Sequence, residues 1–415
     1  MRSALSVYWD RRLVGALRLD EHGDMSFQYA STWLADDGAG ALSASLPKQA
    51  APFNRRASRP FFGGLLPEEV QREAVAQALG VSKGNDFALL NALGGDVAGA
   101  LTLWPEGETP PEPPSQEGVQ ILGDNALVDL LDTLPKRPFL AGKDGLRLSL
   151  AGAQSKIPIV LVGDQIALPA PGQPTTHILK PPMQRFPAST ENEALAMRLA
   201  AAIGLSVAPV EARAVLGRTF LLVSRYDRGT DSSGRVHRIH QEDFCQALGI
   251  PTEHKYASEG GPTFKTSFEL LRRCATRPAI EVLKLLDAAI FNLIVGNADA
   301  HGKNYSLLYR QDDTILAPLY DLLCTIAYPD LSPKLAMKIG KCATIEEMDE
   351  SAWDKFSADA GLGAPFVRRR VKEIAAQVRD VAEETAGALA APGLSEPDLQ
   401  RFAKIIYARA VRLTG

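Results

Sequence analysis

Residues 4–30 alternate apolar and polar side chains, with turn signals at Asp10-Arg11-Arg12 and His22-Gly23-Asp24. A period of two bounded by turn residues predicts a small antiparallel meander. Over 59–103 the pattern turns helical. Leu65-Leu66-Pro67-Glu68-Glu69 opens a helix with proline and two acids in its first turn, as N-terminal chemistry favours. The stretch closes on Gly94-Gly95-Asp96-Val97-Ala98-Gly99-Ala100-Leu101-Thr102-Leu103-Trp104, a glycine turn running into a strand. Residues 105–118 hold five prolines and four glutamates with almost no apolar side chains, so they read as a linker or exposed loop. From about 145 to 226 strands dominate: Leu146–Leu150, Ile157–Val162, His177–Lys180 and Thr219–Val223. One helix interrupts them, Thr190–Ile203, ending at Gly204. From Gln241 onward helices prevail, including Ala279–Val295, Pro365–Leu389 and Glu396–Thr414.

Composition narrows the classes. The 415 residues suffice for two or three domains, and 46% hydrophobic with 23% charged residues is ordinary for a soluble globular protein. A net charge of −4 gives no general attraction to nucleic acid or an anionic membrane, so DNA contact would need a local basic patch or a partner. Cys245, Cys274, Cys324 and Cys342 show neither paired nor metal-ligand spacing, which favours buried thiols in a reducing compartment. The amino terminus is too short and polar for a signal h-region, and no stretch approaches the roughly 18–20 apolar residues of a membrane helix. The expectation is a soluble, cytoplasmic protein with no membrane contact.

Chemistry concentrates in residues 296–304, Gly-Asn-Ala-Asp-Ala-His-Gly-Lys-Asn, directly after the apolar helical run. Asp299 precedes Asn304 by five residues. Kinase-type phosphoryl transfer needs a carboxylate to take the proton of the attacking hydroxyl, and an amide further along the loop to hold Mg²⁺. A second acid, Asp321 in Leu-Tyr-Asp-Leu-Leu, stands where a metal-binding Asp would follow. Upstream, Ser149-Leu150-Ala151-Gly152-Ala153-Gln154-Ser155-Lys156 is a small-residue loop whose backbone N–H groups can approach phosphate oxygens. Alone it would read as a plain hairpin turn. Thr175-Thr176-His177-Ile178-Leu179-Lys180 ends a strand with a lysine suited to α- and β-phosphates, or else simply solvated. Glu191 and Glu193 open the next helix, where either pairs with Lys180 or serves the helix dipole. His301 shapes the loop, touches phosphate or only packs; Lys303 neutralises the transferred group or faces water. The order of these segments is that of a kinase, and a β-rich half followed by an α-rich half matches a bilobal kinase plan.

At these residues the sequence resembles the HipA family, bacterial serine/threonine kinases that act as toxins in type II toxin–antitoxin pairs. The resemblance rests on residues 149–156 and 176–180, on Gln-Glu-Asp-Phe-Cys-Gln at 241–246, and on Lys-Tyr-Ala-Ser-Glu-Gly-Gly-Pro at 255–262. Residues 292–306 add to it, as do Phe-Phe-Gly-Gly-Leu-Leu-Pro-Glu at 61–68 and Leu-Gly-Gly-Asp-Val-Ala-Gly-Ala-Leu at 93–101. It implies an α+β, bilobal protein-kinase-like fold: a β-rich N-terminal lobe with an extra amino-terminal subdomain, and an all-helical C-terminal lobe. The boundaries expected are 1–104 for the subdomain, 105–118 for the linker, 119–240 for the N-lobe and 241–415 for the C-lobe. Carried over by residue, it implies Asp299 as catalytic acid/base and Asn304 and Asp321 as Mg²⁺ ligands. Lys180 would meet the ATP phosphates, with Ala151, Gly152, Ala153, Gln154, Ser155 and Lys156 covering the nucleotide. Ser149 would be autophosphorylated in trans, and the added charge of about −1.5 to −2 would repel ATP, push the loop outward and inactivate the enzyme. Val223-Ser224-Arg225-Tyr226-Asp227 would form the adenine hinge, with Tyr226 near the nucleotide; the family often has an acid at the position of Ser224. The implied partners are a HipB-like helix-turn-helix antitoxin, operator DNA reached mainly through it, and an aminoacyl-tRNA synthetase substrate, the glutamyl enzyme foremost, whose modification stalls translation and favours persistence. Two alternatives stand beside this: a small-molecule kinase, disfavoured by the amino-terminal part, and a catalytically weak kinase-fold co-repressor acting with the antitoxin.

Overall fold

In the computed structural model of the protein, residues 4–112, 118–143, 146–311 and 313–414 are described, so part of the linker (113–117) lies outside them. The chain forms two compact units. The first comprises 1–181 and 223–253, the second 182–222 and 254–415. These divisions fall at other points than the 240/241 boundary expected from the pattern change.

In the first unit the meander forms as expected from Ala4–Trp9, Arg12–Leu19 and Met25–Tyr29, and Leu101–Pro105 joins the free edge of the first strand. Val7 pairs with Gly15 on one side and Leu103 on the other. Leu5, Val7, Val14, Leu17 and Phe27 are fully buried. Helices Arg55–Gly63, Glu69–Leu79 and Asp86–Leu93 complete this part, with the Phe27 and Phe62 rings 5.2 Å apart between sheet and helix. The described linker residues lean on the meander through Arg18–Glu106 and Arg11–Glu112 ion pairs.

A second antiparallel set in the same unit runs in the order Gln120–Ile121, Gln165–Leu168, Ile157–Val162, His177–Lys180. The expected strand Leu146–Leu150 does not form. Leu148 makes one isolated parallel bridge to Asp96, and the backbone of Gly95 sits so close to Arg147 that a Cβ there would fall 2.7 Å from the Arg147 Cβ. Its hydrogen bonds therefore cross to the 94–96 turn rather than along a ladder.

Asp96 is the centre of a buried ionic cluster. It accepts from Thr175 Oγ1 (2.6 Å), Arg228 (3.0 Å), Arg238 Nε (3.0 Å) and Arg225 (3.3 Å), while Arg225 also grips Asp227 through two bonds. Burial alone would raise the Asp96 carboxyl. The Arg228, Arg238 and Arg225 guanidiniums outweigh it and hold Asp96 well below the usual carboxylate range. Burial and the neighbouring Arg225 charge draw Arg228 down to about 10. Such a cluster ties the amino-terminal strands to the second sheet, since losing one partner strands the other charges away from water.

The second unit is built on the Pro278–Val295 helix, whose Leu285, Leu286, Ala288, Ala289, Ile290, Phe291, Leu293, Ile294 and Val295 have no exposed surface. The carboxyl-terminal half of this helix, residues 288–295, carries Asn292 as its one polar residue and lies in the core, while Glu281, Lys284 and Asp287 line one side of the first half. Ser189–Ala202, Ala364–Leu389 and Glu396–Thr414 pack around one another, and a ring cluster of Phe264, Phe268, Trp353 and Phe356 fills the other side. One feature departs from the all-helical expectation: Ser306–Arg310 and Asp313–Leu316 form an antiparallel hairpin, with Leu307, Leu308 and Leu316 buried. No helix among the described residues is long and apolar enough to cross a membrane.

Candidate active site

The catalytic-type loop begins where the core helix stops. Gly296 adopts φ +79° and returns its N–H to the Asn292 carbonyl at 3.0 Å, an ending that glycine permits. A Cβ at this point would also lie 2.5 Å from Ile326. Asn297 follows and acts as a bracket. Its Nδ2 donates to Asn292 Oδ1 (2.9 Å) and to the Asp321 carbonyl (3.3 Å), while its Oδ1 accepts the Asp299 N–H (3.3 Å). One side chain thus joins the segment of Asp299 to that of Asp321.

Asp299 itself is exposed, and the Tyr256 hydroxyl donates to its Oδ1 at 2.9 Å. The His301 N–H donates to the Asp299 carbonyl (2.8 Å) and to Asn304 Oδ1 (3.2 Å), closing a short 3₁₀ turn at Gly302–Asn304. Gly302 is required by contact: a Cβ would meet Pro262 at 2.4 Å. The His301 ring packs edge-on against Tyr256 at 5.3 Å, which fits a loop-shaping role. Lys303 is buried, so it does not point into water, and its carbonyl accepts from the Tyr320 hydroxyl (2.7 Å).

Asn304 Nδ2 lies 3.1 Å from Asp321 Oδ2. Asp321 is held at φ +59°, a conformation uncommon for a non-glycine residue and one that clusters at functional sites. Asn304 turns its amide N–H to Asp321 and its oxygen to the His301 N–H, so of this pair the Asp321 carboxylate is the group presented for a small hard cation, and the amide oxygen would join it by turning. The loop is braced from behind by Thr325, whose hydroxyl accepts from the Ala298 N–H (2.8 Å) and donates to the Gly296 carbonyl (3.0 Å). Arg409 donates to the Ile294 and Leu293 carbonyls at 3.0 and 2.7 Å, satisfying helix-end acceptors.

Asp299, Asn304 and Asp321 therefore share one locus. Asn292, Asn297, Tyr256 and Thr325 complete it, and sequence reasoning assigned none of them a role. Asn297 stood within the quoted motif, yet its function depends on a carbonyl 24 residues on, which spacing does not reveal.

In the first unit, residues 151–156 form an irregular loop leading into Ile157–Val162. Antiparallel pairing sets Ile157 opposite Leu179, and continuing that register by one sets Lys156 opposite Lys180. Both lysines are buried, and the Lys156 ammonium donates to the Ala151 carbonyl at 2.9 Å. Gly152 sits at φ +112°, and Gln154 reaches the Pro181 carbonyl at 3.4 Å. Ala151, Gly152, Gln154 and Ser155 are half-buried, Ala153 exposed. Ser149 has no exposed surface: its hydroxyl donates to the Leu65 carbonyl (2.7 Å) and its N–H to the Asp96 carbonyl (3.0 Å). In the hinge segment the Tyr226 hydroxyl bonds the Gln241 side chain, and Arg225 N–H donates to the Thr176 carbonyl at 2.9 Å. The two acids considered for Lys180, Glu191 and Glu193, are both buried, and Glu191 accepts the Ser395 N–H at 3.1 Å.

A catalytic-type loop after a buried helix, a second metal-type acid, and a small-residue loop before a paired lysine strand define a protein-kinase-like phosphotransferase. Comparison with known proteins narrows the class. Residues 5–104 match the HipA N-terminal domain and residues 148–386 the HipA-like C-terminal domain. The putative kinase Y4mE of Sinorhizobium fredii is 64% identical over 373 residues, spanning 89% of each chain. The serine/threonine-protein kinase toxin HipA of Shewanella oneidensis is 31% identical over 384 residues, 87% of this chain and 84% of that one. The fold is similar to that of HipA in the Shewanella oneidensis MR-1 complex of HipA, HipB and operator DNA, with TM-score 0.86, 28% identity and 98% and 97% of the two chains covered. The chain belongs to the HipA family of serine/threonine kinases.

Proposed function

We propose that the protein transfers a phosphoryl group from ATP to a serine or threonine of another protein. The observation that carries this reading is the grouping of Asp299, Asn304 and Asp321 around the Asn297 bracket. Asp299, open to solvent, accepts the proton of the attacking hydroxyl. Asn304 and Asp321 offer the oxygens that hold Mg²⁺, which when bound neutralises charge on the phosphates. Lys180 and Lys156, opposed on paired strands, face the α- and β-phosphates, and residues 151–156 cover them. Tyr226 lies in the hinge that takes the adenine.

Ser149 is the autophosphorylation site. Because it is buried and hydrogen-bonded here, its segment must leave this position to be modified, and a phosphoryl group has no room to return. The reading extends to a toxin of a HipBA-like pair: the related HipA of known structure is in complex with HipB and operator DNA. The antitoxin would be a small helix-turn-helix protein, DNA contact would run mainly through it, the compartment would be the cytoplasm, and the substrate would be an aminoacyl-tRNA synthetase, the glutamyl enzyme first. A catalytically weak co-repressor fits less well, because the residues for transfer are present and grouped.

Radiolabelled ATP with purified wild type and Asp299→Gln tests the reading. Label transfer to a synthetase panel by wild type alone is expected; transfer by both or neither rejects the catalytic assignment. For Ser149, a Ser149→Asp protein that binds ATP as tightly as the parent rejects inactivation by phosphorylation.

A further inference from the structure

The loop 151–156 is fastened from outside its own strand pair. Two segments 84 residues apart meet at both ends of a three-residue step. Leu65 accepts from the Ser149 hydroxyl at 2.7 Å, and three residues on, Glu68 Oε1 accepts the Gly152 N–H at 3.1 Å. The Glu68 N–H returns a bond to the Gly152 carbonyl at 3.2 Å, so Glu68 and Gly152 hold each other through two bonds. The side chains at both contact points are shielded, Glu68 being 5% exposed and Ser149 not at all, and Gly152 is half-buried. A carboxylate accepting a backbone N–H away from water is a strong hydrogen bond.

The backbone is shaped around this contact. Glu69, immediately after Glu68, adopts φ +47°, strained for a residue with a Cβ. Gly152 takes φ +112°, a conformation L side chains rarely adopt, and a Cβ there would displace the Lys156 ammonium 2.5 Å away. The helix dipole alone does not require this, because an acid serves the first turn of Glu69–Leu79 without reaching a distant loop.

We propose that Glu68 is a positioning residue of the nucleotide loop, a clasp that seats Gly152 and with it Ser149. While it is closed the loop keeps one shape and the Ser149 hydroxyl stays on Leu65; when it opens the serine becomes available for phosphorylation. This rests on the reading of 151–156 as the nucleotide loop and of Ser149 as the acceptor, but the decisive measurement does not.

That measurement is hydrogen exchange on the full-length protein, wild type against Glu68→Ala and Glu68→Gln. Glu68→Ala is expected to speed exchange in 149–153 by about 10- to 100-fold, the worth of one charge-assisted bond, with the rest of the chain unchanged. Glu68→Gln keeps an acceptor oxygen and is expected to restore most of the protection. Unchanged exchange in 149–153, or a rise spread evenly over the chain, overturns the clasp. A second arm offers Asp299→Gln and Glu68→Ala/Asp299→Gln as inert acceptors to catalytic amounts of wild type. Faster Ser149 labelling of the double variant supports the clasp as a gate, and equal labelling overturns it. Label on neither acceptor rejects Ser149 as the target, a failure of the functional reading that the exchange data keep separate.

Discussion

The two loops that carry the proposed chemistry are supported in opposite ways. Residues 296–304 are held within the second unit: by Asn292 and Asn297 at the helix end, by the Asp321 carbonyl and Thr325 hydroxyl 24 to 29 residues on, and by Tyr256. Residues 149–156 hang from Leu65, Glu68 and Asp96, all contributed by the amino-terminal part. The first loop starts at the end of a buried helix and has supports spread along the second unit, Tyr256, Thr325 and Arg409 among them. A loop held by tertiary hydrogen bonds can be released without unfolding either neighbour. On the proposed reading, the contrast sets a loop supported from its own unit's helices apart from one fastened by the amino-terminal segment.

The sharpest test removes chemistry from the first loop without touching its support. Asp299→Gln is expected to lower phosphoryl transfer by about 10²- to 10⁴-fold, the usual worth of a general base, with an unchanged thermal melt because the residue is exposed. A large drop in melting temperature would show Asp299 to be structural. The anchor of the second loop should behave in the opposite manner. Asp96→Ala leaves Arg225, Arg228 and Arg238 buried without their shared carboxylate, and should cost about 3–5 kcal/mol in denaturant unfolding. Less than about 1 kcal/mol would mean that water or Asp227 compensates.

Acid should also act on the amino-terminal support. His240 is buried, packs against the tilted Trp9 ring at 4.5 Å and bonds the Leu42 carbonyl, and burial holds its pKa down at about 4. The unfolded chain takes up a proton near pH 6.5 and the folded one does not. Its contribution is therefore complete above pH 6.5 and declines as pH falls toward 4, by up to roughly 3 kcal/mol. Unfolding free energies between pH 7 and 4 should show this slope, flattened in His240→Gln. The smallest expected effect is at the bracket: Asn297→Ala should cost about 1–3 kcal/mol of stability and slow transfer, since Asn292 and the Asp321 carbonyl lose a donor and the Asp299 N–H loses its acceptor. Loss of stability with full activity would show that Asp299 and Asp321 find their places without it.

How far the sequence discloses each loop follows the same division. Asp299, Asn304 and Asp321 were readable because the loop's grammar is local: an apolar helix, a glycine stop, then acid and amide at fixed spacing. Most strands and long helices were readable from their periods for the same reason. The strand expected at Leu146–Leu150 was not, because its outcome depends on the close approach of Gly95 to Arg147. Glu68 read as a helix-opening acid, and only folding brings its carboxylate to Gly152. The hairpin at 306–316 was missed for want of alternation, its apolar residues being Leu307 and Leu308 in succession.

Arg409 carries a practical consequence. Its guanidinium serves carbonyls 115 and 116 positions earlier, on the last turn before Gly296. Trimming the final helix, or fusing a bulky tag that frays it, would strip a brace from the platform of the proposed base while sparing every residue in the signature motif. Expression variants shortened at that end would then look inactive for a reason unrelated to chemistry.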